Sequence, residues 1–64
     1  MKLLIEKMKC SGCVDNITRV LSSLDPVAKP AFDLKAHTVE VETAVDRQVM
    51  LDALAAAGYP ATVL

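Results

Sequence analysis

Apolar residues in this chain recur first at every second position and then at every third or fourth. The same alternation of periods returns in the second half. A run of period two makes one face of a strand apolar, and a period near 3.6 makes one stripe of a helix apolar. Leu3 and Ile5 share a face of a first strand, Leu3 to Lys7, with Leu4 and Glu6 on the other. Val14, Ile17, Leu21 and Leu24 are then spaced by three, four and three, a helical stripe opposed by Asp15, Asn16, Thr18, Arg19, Ser22 and Ser23. This helix begins near Ser11 to Cys13 and stops before Asp25-Pro26, because a proline ring disfavours the α region for the residue before it.

The second half repeats the scheme around one more hairpin. Ala28 to Leu34 is a weak strand, with Phe32 and Leu34 two apart on one face, and Pro30 places it at a sheet edge. Lys35-Ala36-His37 is a turn, and Thr38 to Glu42 alternates cleanly with Val39 and Val41 facing inward. A second helix spans about Arg47 to Ala57, with Met50, Leu54 and Ala57 on its stripe, flanked by Leu51 and Ala53. Asp46 is its expected N-cap, with Thr43 as a second candidate, and Gly58 is its stop. Pro60 to Leu64 supplies a short last strand. The order β-α-β-β-α-β predicts a single domain over residues 1–64, an α+β two-layer sandwich with one antiparallel sheet and two helices on one face.

Charge and composition narrow the function. The net charge is −1 and the chain has one Phe, one Tyr and no Trp, so nothing supports nucleic-acid binding, which needs clustered cations. No apolar run reaches the ~18 residues of a membrane span, and Glu6 interrupts the N-terminal one, which leaves the cytoplasm as the expected compartment. In that reducing setting Cys10 and Cys13, the only cysteines, point to metal or redox chemistry rather than to a permanent disulfide.

The two thiols fall where the first strand gives way to the first helix. The free N–H groups and positive dipole end of a helix stabilise a thiolate there. Ser11 and Gly12 between them are small, which lets both sulfurs face one centre, and Gly12 permits a strained backbone at little steric cost. A closed zinc site needs four ligands, and His37, read as a solvated turn residue at the opposite end of the sheet, is not one of them. Two thiolates alone suit Cu(I), and an open site admits a third sulfur. A dithiol oxidoreductase is the alternative from another class, although neither Trp nor Pro accompanies the cysteines. No nucleophile–base pair or phosphate loop indicates an enzyme.

Met8-x-Cys10-x-x-Cys13, the β-α-β-β-α-β pattern and Gly58-Tyr59 together resemble the heavy-metal-associated domain family, with most likeness to small bacterial copper chaperones. The resemblance spans the whole chain and implies a ferredoxin-like sandwich with Cu(I) on Cys10 and Cys13. It also implies transfer to the metal-binding domain of a copper-transporting P-type ATPase through three-coordinate, sulfur-bridged intermediates. Met8 matches a methionine that packs beneath the loop, and Tyr59 a tyrosine beside the metal. On its chemistry alone, Tyr59 serves equally well to close the helix end.

This chain departs from the family pattern at Lys7, where glycine is usual, at Lys9, where threonine or serine is common, and at Asp25-Pro26-Val27 after the first helix. Lys9 is read as a solvated lysine whose charge can also offset a bis-thiolate complex or assist docking. Hg(II) accepts the same two sulfurs, and a copper-bridged homodimer pooling four thiolates is an expected consequence of the open site. A free-standing carrier is the expectation from Met1 to Leu64, with a module of a transporter ATPase as the alternative.

Overall fold

The computed structural model describes all residues from Met1 to Leu64. Its elements run β1 (Lys2–Leu4), α1 (Ser11–Leu24), β2 (Ala31–Asp33), β3 (Thr38–Glu40), α2 (Arg47–Ala56) and β4 (Thr62–Val63). The four strands form one antiparallel sheet in the order β2-β3-β1-β4. This is the ferredoxin-like sandwich, with the two helices packed on one face. The strands are shorter than their alternating runs, but single hydrogen bonds continue the pairing. The N–H of Val41 donates to the Met1 carbonyl at 2.9 Å, that of Ile5 to the His37 carbonyl at 2.7 Å, and that of Leu64 to the Lys2 carbonyl at 2.9 Å.

The core follows the two periods. Leu3, Ile5 and Val39 from the sheet side meet Ile17 and Leu21 from α1 and Met50 and Leu54 from α2, all fully buried, and Val41 is buried as well. Met8 joins them from the loop after β1. Each such side chain contributes roughly 1.5–3 kcal/mol by leaving water. Phe32 packs against this cluster, while Leu34, expected on the same face, is 40% exposed. The reason is local: β2 ends at Asp33 and the chain turns, so the period-two rule no longer applies at Leu34. Ala57, expected on the α2 stripe, is exposed because it is the C-cap, one residue beyond the last helical turn.

The punctuation residues act as their chemistry requires. Asp46 caps α2, its carboxylate accepting from the N–H groups of Gln48 at 2.8 Å and Val49 at 3.4 Å. Gly58 takes φ +91, the left-handed conformation that ends α2 without a Cβ penalty. Thr43 is not a cap. Its hydroxyl donates to Asp25 Oδ2 at 2.6 Å and accepts from the N–H of Val45 at 3.2 Å, tying the segment after β3 to the end of α1. Pro30 and Pro60 sit just before the edge strands β2 and β4, where a missing N–H costs no central ladder bond.

The register of β1 on β3 decides which loops meet. Leu4 at the end of β1 lies opposite Thr38 at the start of β3. The β1–α1 loop and the β2–β3 turn therefore share one end of the sheet. From that end β3 leads away and α2 returns, which brings Gly58-Tyr59 back to the same place.

Removing the Asp46 cap tests this local accounting. Asp46→Ala is expected to cost about 1 kcal/mol. In a domain of this size that lowers Tm by about 4–8 °C, measurable by thermal denaturation under reducing conditions.

Candidate functional site

The loop at this end is built from Met8 outward. Met8 is fully buried, so the chain is anchored in the core two residues before the first cysteine. Its N–H donates to the Ile5 carbonyl at 3.0 Å, closing a tight turn through Glu6 and Lys7. Met8 packs in the core. Cys10 then takes the N-cap position of α1, with extended backbone (φ −152, ψ 170), and its carbonyl accepts the first helical bonds from Cys13 and Val14. A serine or aspartate there would turn its side chain back onto the helix N–H groups. Cys10 makes no such side-chain bond, and its sulfur instead faces Cys13.

The two sulfurs stand 3.4 Å apart, with Cys10 exposed and Cys13 partly so; both are free thiols. Ser11 and Gly12 between them are exposed in the first turn of α1. Gly12 does not take a left-handed backbone, so the strained conformation expected there is absent. A Cβ at Gly12 would lie 3.8 Å from Cys10 Sγ, an ordinary contact, so what glycine provides is an uncrowded flank beside that sulfur.

The environment pulls the Cys13 thiol down from 9.0 to about 7. The foremost cause is the backbone of Lys9, followed by the Cys10 side chain. Desolvation opposes them, and the Tyr59 hydroxyl and the Cys10 backbone lower it further. Lys9 thus acts on Cys13 through its backbone, while its exposed side chain extends from the loop. Tyr59 is half-buried against the core, and its oxygen accepts a hydrogen bond from Asn16 Nδ2 at 3.1 Å. The amide occupies the phenol oxygen as a donor, which leaves the phenol's own proton for the Cys13 sulfur.

Asn16, exposed as read, gains a second role, and His37 departs from its reading. Asn16 belonged to the solvated face of α1, yet it positions Tyr59; the available signal was its place one helical turn after Cys13. His37 is not a solvated residue at the far end. The β1–β3 register puts its turn beside the cysteine loop, where it is half-buried with Nδ1 2.8 Å from the Met8 carbonyl oxygen. The placement at opposite ends failed because it did not follow β3 antiparallel to β1. No group of three or more His, Cys, Asp or Glu side chains is assembled to hold an ion, so His37 completes no site with the cysteines.

The sequence model of the heavy-metal-associated domain matches residues 2–60. No curated protein matches the chain. Among solved structures, a gold-binding protein is 31% identical, with 95% of this chain and 94% of that one covered at a TM-score of 0.90. The N-terminal domain of PacS from Synechocystis PCC6803 is 28% identical, covering 98% and 92% at a TM-score of 0.83. The copper chaperone Atx1 from the same organism shares the fold at a TM-score of 0.91 and 24% identity, covering 97% and 98%.

The lowered thiol carries a signed pH dependence. With its pKa near 7 in the folded state and 9.0 otherwise, Cys13 favours folding above neutrality, and this contribution is lost as pH falls through about 7. Alkylation of Cys13 by iodoacetamide, followed peptide by peptide, is expected to rise with a midpoint of about 7. The midpoint moves up in Cys10→Ser and by less in Tyr59→Phe, following the order of the causes. A wild-type midpoint near 9 would contradict the assignment.

Proposed function

We propose, for a chain that belongs to the heavy-metal-associated domain family, that it is a cytosolic carrier holding one Cu(I) ion between Cys10 and Cys13. The observation that carries this is the sulfur pair itself: two free thiols 3.4 Å apart at the surface, with no third ligand beside them. Soft sulfur donors select a soft ion, and a site closed on one side only is built for exchange. Across a linear pair of bonds of ~2.3 Å, the length thiolates make to zinc, sulfurs stand ~4.6 Å apart. The 3.4 Å pair therefore opens on loading or grips the ion at a bend, and either way leaves its outer side free.

On this reading transfer has a direction. Cys10 is the exposed sulfur, so an incoming thiolate of a partner enters beside it and makes the ion three-coordinate. One carrier bond then breaks for each partner bond formed, with no change in oxidation state. Cys13, the less exposed sulfur and set inside the first turn of α1, is the last ligand to let go. The receiving partner is a second domain with a two-thiolate loop, such as the metal-binding domain of a copper-transporting P-type ATPase. Two copies of this chain can pool their four thiolates in the same way, giving a metal-bridged dimer.

A second reading is Au(I), favoured by the 31% identity to a gold-binding protein over nearly the whole chain. The two ions share the site and differ in which one displaces the other.

Native mass spectrometry with Cu(I) titrated into the reduced chain is expected to show one ion per chain and a bridged dimer. Cys10→Ser and Cys13→Ser each weaken binding at least tenfold, and the double variant binds none; Cu(I) retained by the double variant would sink the proposal. Met8→Leu keeps wild-type stoichiometry, since its side chain packs in the core, at a stability cost below about 1.5 kcal/mol. Competition between Cu(I) and Au(I) separates the two readings, and reduction of insulin disulfides by the metal-free chain would favour an oxidoreductase.

A further inference from the structure

His37 is the one non-glycine residue with a left-handed backbone, at φ 56. That region is costly for a side chain that glycine or asparagine would replace without strain. The turn keeps the histidine, and both of its polar ends reach the cysteine loop. Its carbonyl accepts the Ile5 N–H at 2.7 Å, and its Nδ1 lies 2.8 Å from the Met8 carbonyl oxygen. A carbonyl oxygen can only accept, so Nδ1 carries the proton.

We propose that His37 is a positioning residue that sets the cysteine loop by clamping the Met8–Lys9 peptide. The Met8 carbonyl and the Lys9 N–H are two ends of one planar unit, trans like every peptide in the chain. They point in opposite directions, so holding the carbonyl toward the β2–β3 turn aims the N–H at the other side. The next residue along the chain is Cys10, the N-cap of α1, so the plane of this peptide sets where the first sulfur-bearing residue enters the helix. Donation from His37 into the carbonyl also polarises the amide and strengthens its N–H as a donor. The buried Met8 side chain fixes the same residue from below, leaving the plane little freedom. This assignment rests on the carrier reading for its purpose, though the clamp itself belongs to the metal-free protein.

The test uses His37→Gly and His37→Asn. Glycine relieves the backbone strain and removes the donor. Asparagine tolerates the same backbone and places an amide donor close to where Nδ1 stands. In the metal-free chain, nitrogen NMR of the imidazole is expected to show the Nδ1–H form. The Met8 amide, which bonds to the Ile5 carbonyl within the clamped loop, then exchanges about three- to tenfold faster in His37→Gly, the range one net hydrogen bond supports, and returns toward wild type in His37→Asn. Thermal stability of His37→Gly stays level or rises, which separates a loosened loop from a failing fold. Retention of Cu(I) against a competing thiol chelator falls by a similar factor in His37→Gly and recovers in His37→Asn. Equal amide exchange in all three proteins, or an asparagine variant as loose as the glycine one, overturns the clamp. A wild-type chain that binds no Cu(I) overturns the carrier reading instead, and the exchange comparison still decides the clamp.

Discussion

The pairing of β1 with β3 is the interaction on which the rest of the molecule depends. Both strands are central, both turn their apolar side chains toward the helices, and their register sets Leu4 against Thr38. From this single alignment the β2–β3 turn meets the cysteine loop, and the chain leaving α2 returns to the same end. A slip of one residue would turn Val39 and Val41 to the open face of the sheet and carry His37 away from Met8. Core burial and site assembly are therefore selected by the same register.

At that end, few groups touch the Cys13 sulfur, and half of them are backbone. The Lys9 and Cys10 backbones and the Tyr59 hydroxyl favour a thiolate at Cys13 through oriented dipoles rather than through a neighbouring full charge. Dipoles held by a folded scaffold need no reorganisation when the charge at sulfur changes. The supporting side chains come from three separate places: Asn16 in α1, Tyr59 after α2 and His37 in the hairpin turn. Tyr59 reaches Cys13 itself, while Asn16 and His37 act through another group, so neither of those two is recognisable as a site residue from its chemistry alone.

That difference explains what could be read from the chain beforehand. The periods of apolar residues located both helices to within a residue or two, because a stripe such as Val14, Ile17, Leu21 and Leu24 is a local signal. Asp46 and Gly58 marked the ends of α2 for equally local reasons. The β2 face was less legible, since Leu34 obeys alternation only while the strand lasts. Cys10 and Cys13 were visible as a pair because their spacing is itself the chemistry. Asn16 and His37 were not, because their meaning depends on partners 43 and 29 positions away. For His37 the topology was correct while its ends were mismatched, and one antiparallel pairing corrects the error.

Cys10 stands where a helix of this kind ordinarily carries its own anionic or hydroxyl cap, and α1 has no acidic residue in its first turn. The positive pole of the helix is thus left without a resident counter-charge from the first turn. Whatever negative charge gathers on the two sulfurs fills that role, and a bis-thiolate complex fills it more fully than two protonated thiols. On the carrier reading, a filled loop would finish the helix and an empty one would leave α1 with an unfinished beginning, so occupancy would be felt in the firmness of the first turn as well as in the coordination of the ion.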